Sequence, residues 1–144
     1  MSLVISTALL ESIRTHARTA GSEECCGLLL GARESGHVAA VLPAANVAAE
    51  PRHFFEIDPA VLLRAHREAR TGGPAILGHY HSHPEGNPTP SPVDAAMAQG
   101  DGEIWLLVGS NGAAQAWRAV PSGRLHGRFE PIALVEADAP PAAG

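Results

Sequence analysis

The sequence predicts an α/β domain, a sheet flanked by helices. Three observations carry that prediction. Apolar residues recur at helical spacing in two segments that open on capping residues. Several short apolar runs, bounded by Gly, Pro, Ser and Asn, have the length of strands. The segments follow one another as helix, strands, helix, strand, helix, strands. With 144 residues the chain can bury a core of its own, and no composition shift divides it. The expected unit is one domain over residues 1–135, followed by an Ala/Pro-rich flexible tail over 136–144.

Residues 6–20 open the series as a helix. Ser6 caps it, Leu9, Leu10, Ile13 and Ala17 form its apolar stripe, and Gly21 suits its end. A strand follows over 24–30, closed by Gly31, and Gly36 turns the chain into a second over 38–42. Residues 43–51 read as a loop and 53–57 as a short third strand. Asp58-Pro59 opens the next helix, with Ile57 placed to staple against Leu62. Leu62, Ala65 and Ala69 face inward there, Arg64, Arg67 and Arg70 face solvent, and Thr71-Gly72-Gly73-Pro74 ends it. Ala75, Ile76 and Leu77 begin a buried strand. Ser91 caps a short helix with Pro92 in its first position. Strands over 104–108, 113–120 and 125–129 complete the set, with Ser110-Asn111-Gly112 as a hairpin turn and Pro121-Ser122-Gly123 as the next turn.

Composition narrows the function classes. An apolar content of 45%, 17% charged residues and a formal charge of −5 suit a soluble globular protein, and argue against nucleic acid or an anionic membrane as partners. No apolar run reaches membrane-span length, so the expected compartment is the cytoplasm. A homodimer is compatible with the sequence. Cys25 and Cys26 are adjacent and cannot form an unstrained bridge; they read as small buried hydrophobes facing opposite ways. All ten basic residues are arginine, so the chain offers no lysine side chain as an isopeptide acceptor.

The chemistry concentrates in His79–Asp94, which reads H-Y-H-S-H-P-E-G-N-P-T-P-S-P-V-D. His81 and His83 stand two apart at the end of an apolar strand and so share a face. Asp94 falls in the first turn of the following helix, from which it can reach back. Two nitrogens and one oxygen leave the fourth corner of a tetrahedral zinc open for water, as catalytic zinc sites do. His79 lies on the same face. Residues i and i+4 of a strand are about 13 Å apart, so His79 reads as a core or supporting residue, with Tyr80 and Ser82 pointing the other way. His16, His37, His53 and His126 receive no role, and Trp105 and Trp117 read as core.

The string H-S-H-P, six residues, then S-x-x-D resembles the JAMM motif of the JAB1/MPN/Mov34 zinc metalloproteases, specifically their small stand-alone prokaryotic members. Upstream, Glu24-Cys25-Cys26-Gly27 before an apolar strand resembles that family's remaining element, and the likeness extends over residues 3–132. It implies an MPN fold, a curved, mainly antiparallel mixed sheet like that of cytidine deaminases. It implies one zinc per chain on His81, His83 and Asp94, with Glu24 as the acid/base. Ser91 would be an oxyanion donor, a role open beside that of helix cap. The implied reaction is hydrolysis after the C-terminal Gly-Gly of a ubiquitin-like or sulfur-carrier β-grasp protein; substrate-binding residues are not identified. Two other readings stand beside it: a non-catalytic MPN scaffold, and a zinc hydrolase of an unrelated small amide.

Overall fold

The structure, a computed structural model, describes residues 1–137. It contains β1 (Ser2–Ser6), α1 (Thr7–Ala20), β2 (Cys26–Ala32), β3 (His37–Ala44), α2 (Pro59–Arg70), β4 (Ala75–Ser82), α3 (Pro92–Met97), β5 (Ile104–Val108), β6 (Ala114–Gly123) and β7 (Gly127–Ala137). The strands form one mixed sheet whose curvature carries it to closure, in the order β1-β3-β2-β4-β5-β6-β7. The pairs β2–β3, β2–β4, β5–β6 and β6–β7 are antiparallel, whereas β4–β5 and both pairings of β1 are parallel.

The core divides by sheet face. Leu10 and Ile13 of α1 pack with Leu3, Ile5, Leu29, Tyr80, Leu106 and Val108. On the opposite face Phe55, Ala95, Trp105, Leu107 and Phe129 form a second cluster, and Ala65 of α2 meets Leu28 and Leu30 in a third. Cys25 belongs to the first cluster and Cys26 to the second, as strand alternation requires. β4 and β5 approach closely because residue 78 is glycine: a Cβ there would run into the Ile104 backbone.

Four features depart from the sequence reading. β1 was not expected; its Leu3 and Ile5 alternate inward, a pattern too short to stand out beside the helix that follows. Residues 53–57 form no strand, since each strand of the barrel already has two neighbours; a lone bridge joins Asn46 and Ile57. The last turn is Arg124-Leu125-His126 rather than Pro121-Ser122-Gly123, with His126 at a φ of 53° and Gly127 at 69°. β7 then runs past Pro131 to Ala137, beyond the expected end at residue 129. Pro131 pairs with Trp117 of β6, two residues before β1 joins the other side at Ala133. Glu136 and Ala137 pair with β1, so the expected tail begins in the strand; residues 138–144 lie outside the described residues.

Candidate metal centre and active site

β4 delivers the histidines. It is held by β2 on one side, with Cys26 opposite His81, and by β5 on the other, with Leu107 opposite His81. His83 follows directly and stays in line because its backbone N–H donates to the Val108 carbonyl at 2.8 Å. The loop after it is pinned at several points. Ser110 N–H donates to the Gly86 carbonyl at 2.8 Å, Trp117 Nε1 to the Pro88 carbonyl at 3.0 Å, and His126 Nε2 lies 3.1 Å from the Pro90 carbonyl. That loop ends at α3, whose capping box is complete. Ser91 Oγ accepts from the Asp94 N–H at 3.1 Å, and Asp94 Oδ2 accepts from the Ser91 N–H at 2.9 Å.

These supports bring His81, His83 and Asp94 together. One ligand atom from each lies within 4.8 Å of the others. His81 Nε2 is 3.2 Å from Asp94 Oδ1, His83 Nε2 is 3.0 Å from Asp94 Oδ2, and the two Nε2 atoms are 3.3 Å apart. Ligand atoms around a tetrahedral zinc with bonds of 2.0–2.1 Å would lie about 3.3–3.4 Å apart; the histidine pair has that spacing, and the carboxylate, whose two oxygens each face one histidine, would turn to offer one of them to the ion. His83 Nδ1 sits 2.9 Å from the Asn87 carbonyl. Donation there puts the proton on Nδ1 and leaves the Nε2 lone pair facing the centre.

The electrostatics suit the same purpose. Burial pushes the His81 value down to about 4, which keeps its imidazole neutral. Burial also opposes charge on His83, but Asp94 outweighs it and raises the value overall. For Asp94, burial acts upward, and hydrogen bonds from both histidines overcome it and hold the carboxyl below its usual range. His79 is outside the ligand group, as its position predicts: its Nε2 meets His81 Nδ1 at 3.1 Å.

Glu24 lines the cleft into which His83 opens. Its N–H donates to the Pro51 carbonyl at 2.8 Å, and its carbonyl accepts from Asn46 Nδ2, also at 2.8 Å. Asn46 also donates to the Phe54 carbonyl and accepts from the N–H groups of Ala48 and Glu56. One amide side chain thus folds residues 46–56 around Glu24. Glu24 is 8% exposed, and burial pushes its carboxyl up to about 7; His83 acts downward and Asp94 upward. Glu24, His83, Asn87 and Ser91 line a common cleft of about 460 Å³, with Arg52 and His53 at the same opening. Glu23, by contrast, is exposed.

Sequence reasoning missed several contributors. Phe55, read as a strand residue, stacks on His81 with ring centroids 4.2 Å apart and on His79 at 4.8 Å. Trp105 stands edge-on to both histidines. His126 and His16, given no role, hold the Pro90 carbonyl and the Tyr80 hydroxyl. His53 lies at the cleft. Asn46 had one readable signal, a lone amide in a loop rich in alanine and proline.

Paired strands that deliver two histidines against a capped carboxylate define the JAB/MPN class of fold. A solution structure from Desulfitobacterium hafniense, of protein DSY2949, superposes with a TM-score of 0.82 at 25% identity, covering 96% of this chain and 94% of that one. The family model for prokaryotic homologs of the JAB domain matches residues 6–120, and the chain belongs to that family. It is 36% identical to a desampylase of Haloferax volcanii over 74% of this chain and 79% of the relative. It is 37% identical to a probable TtuB-protein conjugate cleaving protease of Thermus thermophilus, over 67% and 64%.

Proposed function

We propose that this chain is a zinc-dependent isopeptidase that hydrolyses the bond after the C-terminal Gly-Gly of a ubiquitin-like or sulfur-carrier protein. The observation that carries the reading is the convergence of His81, His83 and Asp94, of which His83 lines the same cleft as Glu24. The desampylase and the conjugate-cleaving protease among its relatives support the substrate class.

His81 Nε2, His83 Nε2 and an Asp94 oxygen would hold one zinc ion, which when bound supplies Lewis acidity to the scissile carbonyl and acidifies water. Glu24 has a carboxyl near 7 before metal enters, suited to taking a proton from water and returning it to the departing amine. Ser91 can serve in both of its expected roles. Its oxygen accepts the Asp94 N–H, and its own proton stays available to donate toward the developing oxyanion. The pinned loop over 84–91 holds Ser91 at the cleft that His83 also lines. A glycine before the scissile bond adds no side chain to a cleft of this size. The free, buried thiols Cys25 and Cys26 suit a reducing compartment such as the cytoplasm.

Mass spectrometry of C-terminally extended β-grasp carriers, incubated with wild type and Glu24→Gln, tests the reading. Zinc-dependent cleavage after Gly-Gly by the wild type alone supports it. Equal cleavage of short peptides and unrelated amides would make the protein a general zinc hydrolase. A preparation grown with ample zinc that contains none would favour the scaffold.

A further inference from the structure

We infer that His79, hydrogen-bonded to His81 and backed electrostatically by Glu103, forms a relay that fixes the tautomer and ring orientation of His81 and so tightens the metal centre; both act as positioning residues, and the inference rests on the zinc reading above. His79 and His81 are separated by a single residue on one face of β4, and their rings are tilted by only 15° with centroids 5.2 Å apart. At that separation the rings meet edge to edge. Imidazole lone pairs and N–H bonds lie in the ring plane, so the 3.1 Å contact between His79 Nε2 and His81 Nδ1 has the direction of a hydrogen bond. On the far side of His79, its Nδ1 stands 3.5 Å from Glu103 Oε1.

The proton count then follows step by step. His81 must present an unprotonated Nε2 to bind metal, so its proton sits on Nδ1. That N–H donates to His79 Nε2, which must be a lone pair. The His79 proton is therefore on Nδ1, directed at the Glu103 carboxylate. The reverse arrangement, His79 Nε2–H donating to His81 Nδ1, would put the His81 proton on Nε2 and block the metal, and the two remaining arrangements of neutral rings set two donors or two acceptors against each other at 3.1 Å. Carboxylates or carbonyls commonly hold a metal-bound histidine from behind; here a second imidazole is interposed and extends the reach to a carboxylate one residue before β5.

The surroundings preserve this alignment. Phe55 stacks on both rings, Trp105 meets both edge-on, and His79 and His81 are 4% and 0% exposed. Glu103 lies at the wall of a separate cleft of about 620 Å³, lined also by Phe55, Leu62, Ile76 and Met97. Its side chain is 38% exposed, so it can be changed with little cost to the fold. The relay thus runs from one cleft to the metal centre behind the other.

Zinc affinity, measured by competition with a chromophoric chelator on the full chain, tests the relay. His79→Phe keeps the ring stack but removes the acceptor, and is expected to weaken zinc binding by about 10–100-fold, the usual effect of losing such a partner. Glu103→Ala should give a smaller loss in the same direction, with Glu103→Gln restoring part of it through its amide oxygen. Long-range ¹H–¹⁵N correlation spectra of the zinc-loaded wild type should show His79 protonated on Nδ1, a signature that mere packing would not set. If wild type binds zinc and the variants bind it equally well, or if His79 carries its proton on Nε2, the relay is overturned and the metal site stands. If the wild type binds no zinc, the metal reading falls and the relay with it.

Discussion

The two faces of β4 carry buried polar side chains one residue apart, yet they do different things. On the α1 face, Tyr80 is fully buried with its hydroxyl 2.7 Å from His16 Nδ1, and Ser82 Oγ accepts the Cys25 N–H at 2.9 Å. Each group there has a complementary partner of the other kind. On the opposite face, the Nε2 atoms of His81 and His83 and the Asp94 carboxylate converge across 3.0–3.3 Å, so the three must share protons among them or a cation must take the protons' place. Both faces hold hydrogen-bonded, largely buried polar groups; convergence of three metal-donor groups belongs to the second. That difference separates a structural polar core from a site.

Asp94→Ala should sharpen the contrast most. It removes a ligand and half of the capping box together, and elemental analysis of the purified protein should find zinc lost and turnover abolished. Glu24→Gln should come next, lowering turnover by about 10²–10⁴ while zinc content is unchanged, because Glu24 stands outside the ligand group. Glu23→Gln, on an exposed neighbour, should leave turnover unaltered.

The same Glu24 variant carries a pH signature in the metal-free protein. The folded-state value of about 7 lies above the ordinary 4.5, so the native state holds the extra proton and loses stability as pH rises through that interval. Glutamine does not titrate. Denaturant unfolding should therefore find Glu24→Gln gaining on wild type between pH 5 and pH 8, by on the order of 1–3 kcal/mol; equal slopes would mean the carboxyl is not desolvated. On the structural side the effects are smaller. Ser91→Ala should cost about 1 kcal/mol as a lost cap, with a further loss of turnover if the hydroxyl also donates during reaction. Tyr80→Phe should cost about 1 kcal/mol with activity per folded molecule unchanged. A large loss of turnover from Tyr80→Phe would break the distinction between the faces.

Legibility in the sequence followed contact range. His81, His83, Ser91 and Asp94 lie within fourteen positions, so spacing, strand alternation and capping rules suffice to bring them together. The helices were readable for the same reason, since caps and stripes are local. Glu24 is picked out by likeness to a family, and its support by Asn46 and Pro51 depends on contacts more than twenty residues apart. Phe55 sits in an apolar run that suggested a strand, but a strand needs a free neighbour and the barrel had none. Glu103 and His79 are likewise brought together by the parallel pairing of β4 with β5, which leaves no trace in local pattern. β1 was missed because five residues give little periodicity, although its pairings complete the sheet.

That completion has a colloidal consequence. An open sheet ends in rows of unpaired amide and carbonyl groups, which template further strands and seed fibrils. A protein working on extended, glycine-ended tails would be prone to capture them anywhere along such a row. Among the described residues each of the seven strands has a neighbour on both sides, so closure shortens the rows open to extended chains, although β1 meets β3 only at Val4 and His37. Deleting residues 2–6 would bare β3 and β7 together. The truncated protein should then self-associate, and light scattering would register that before any assay of turnover did.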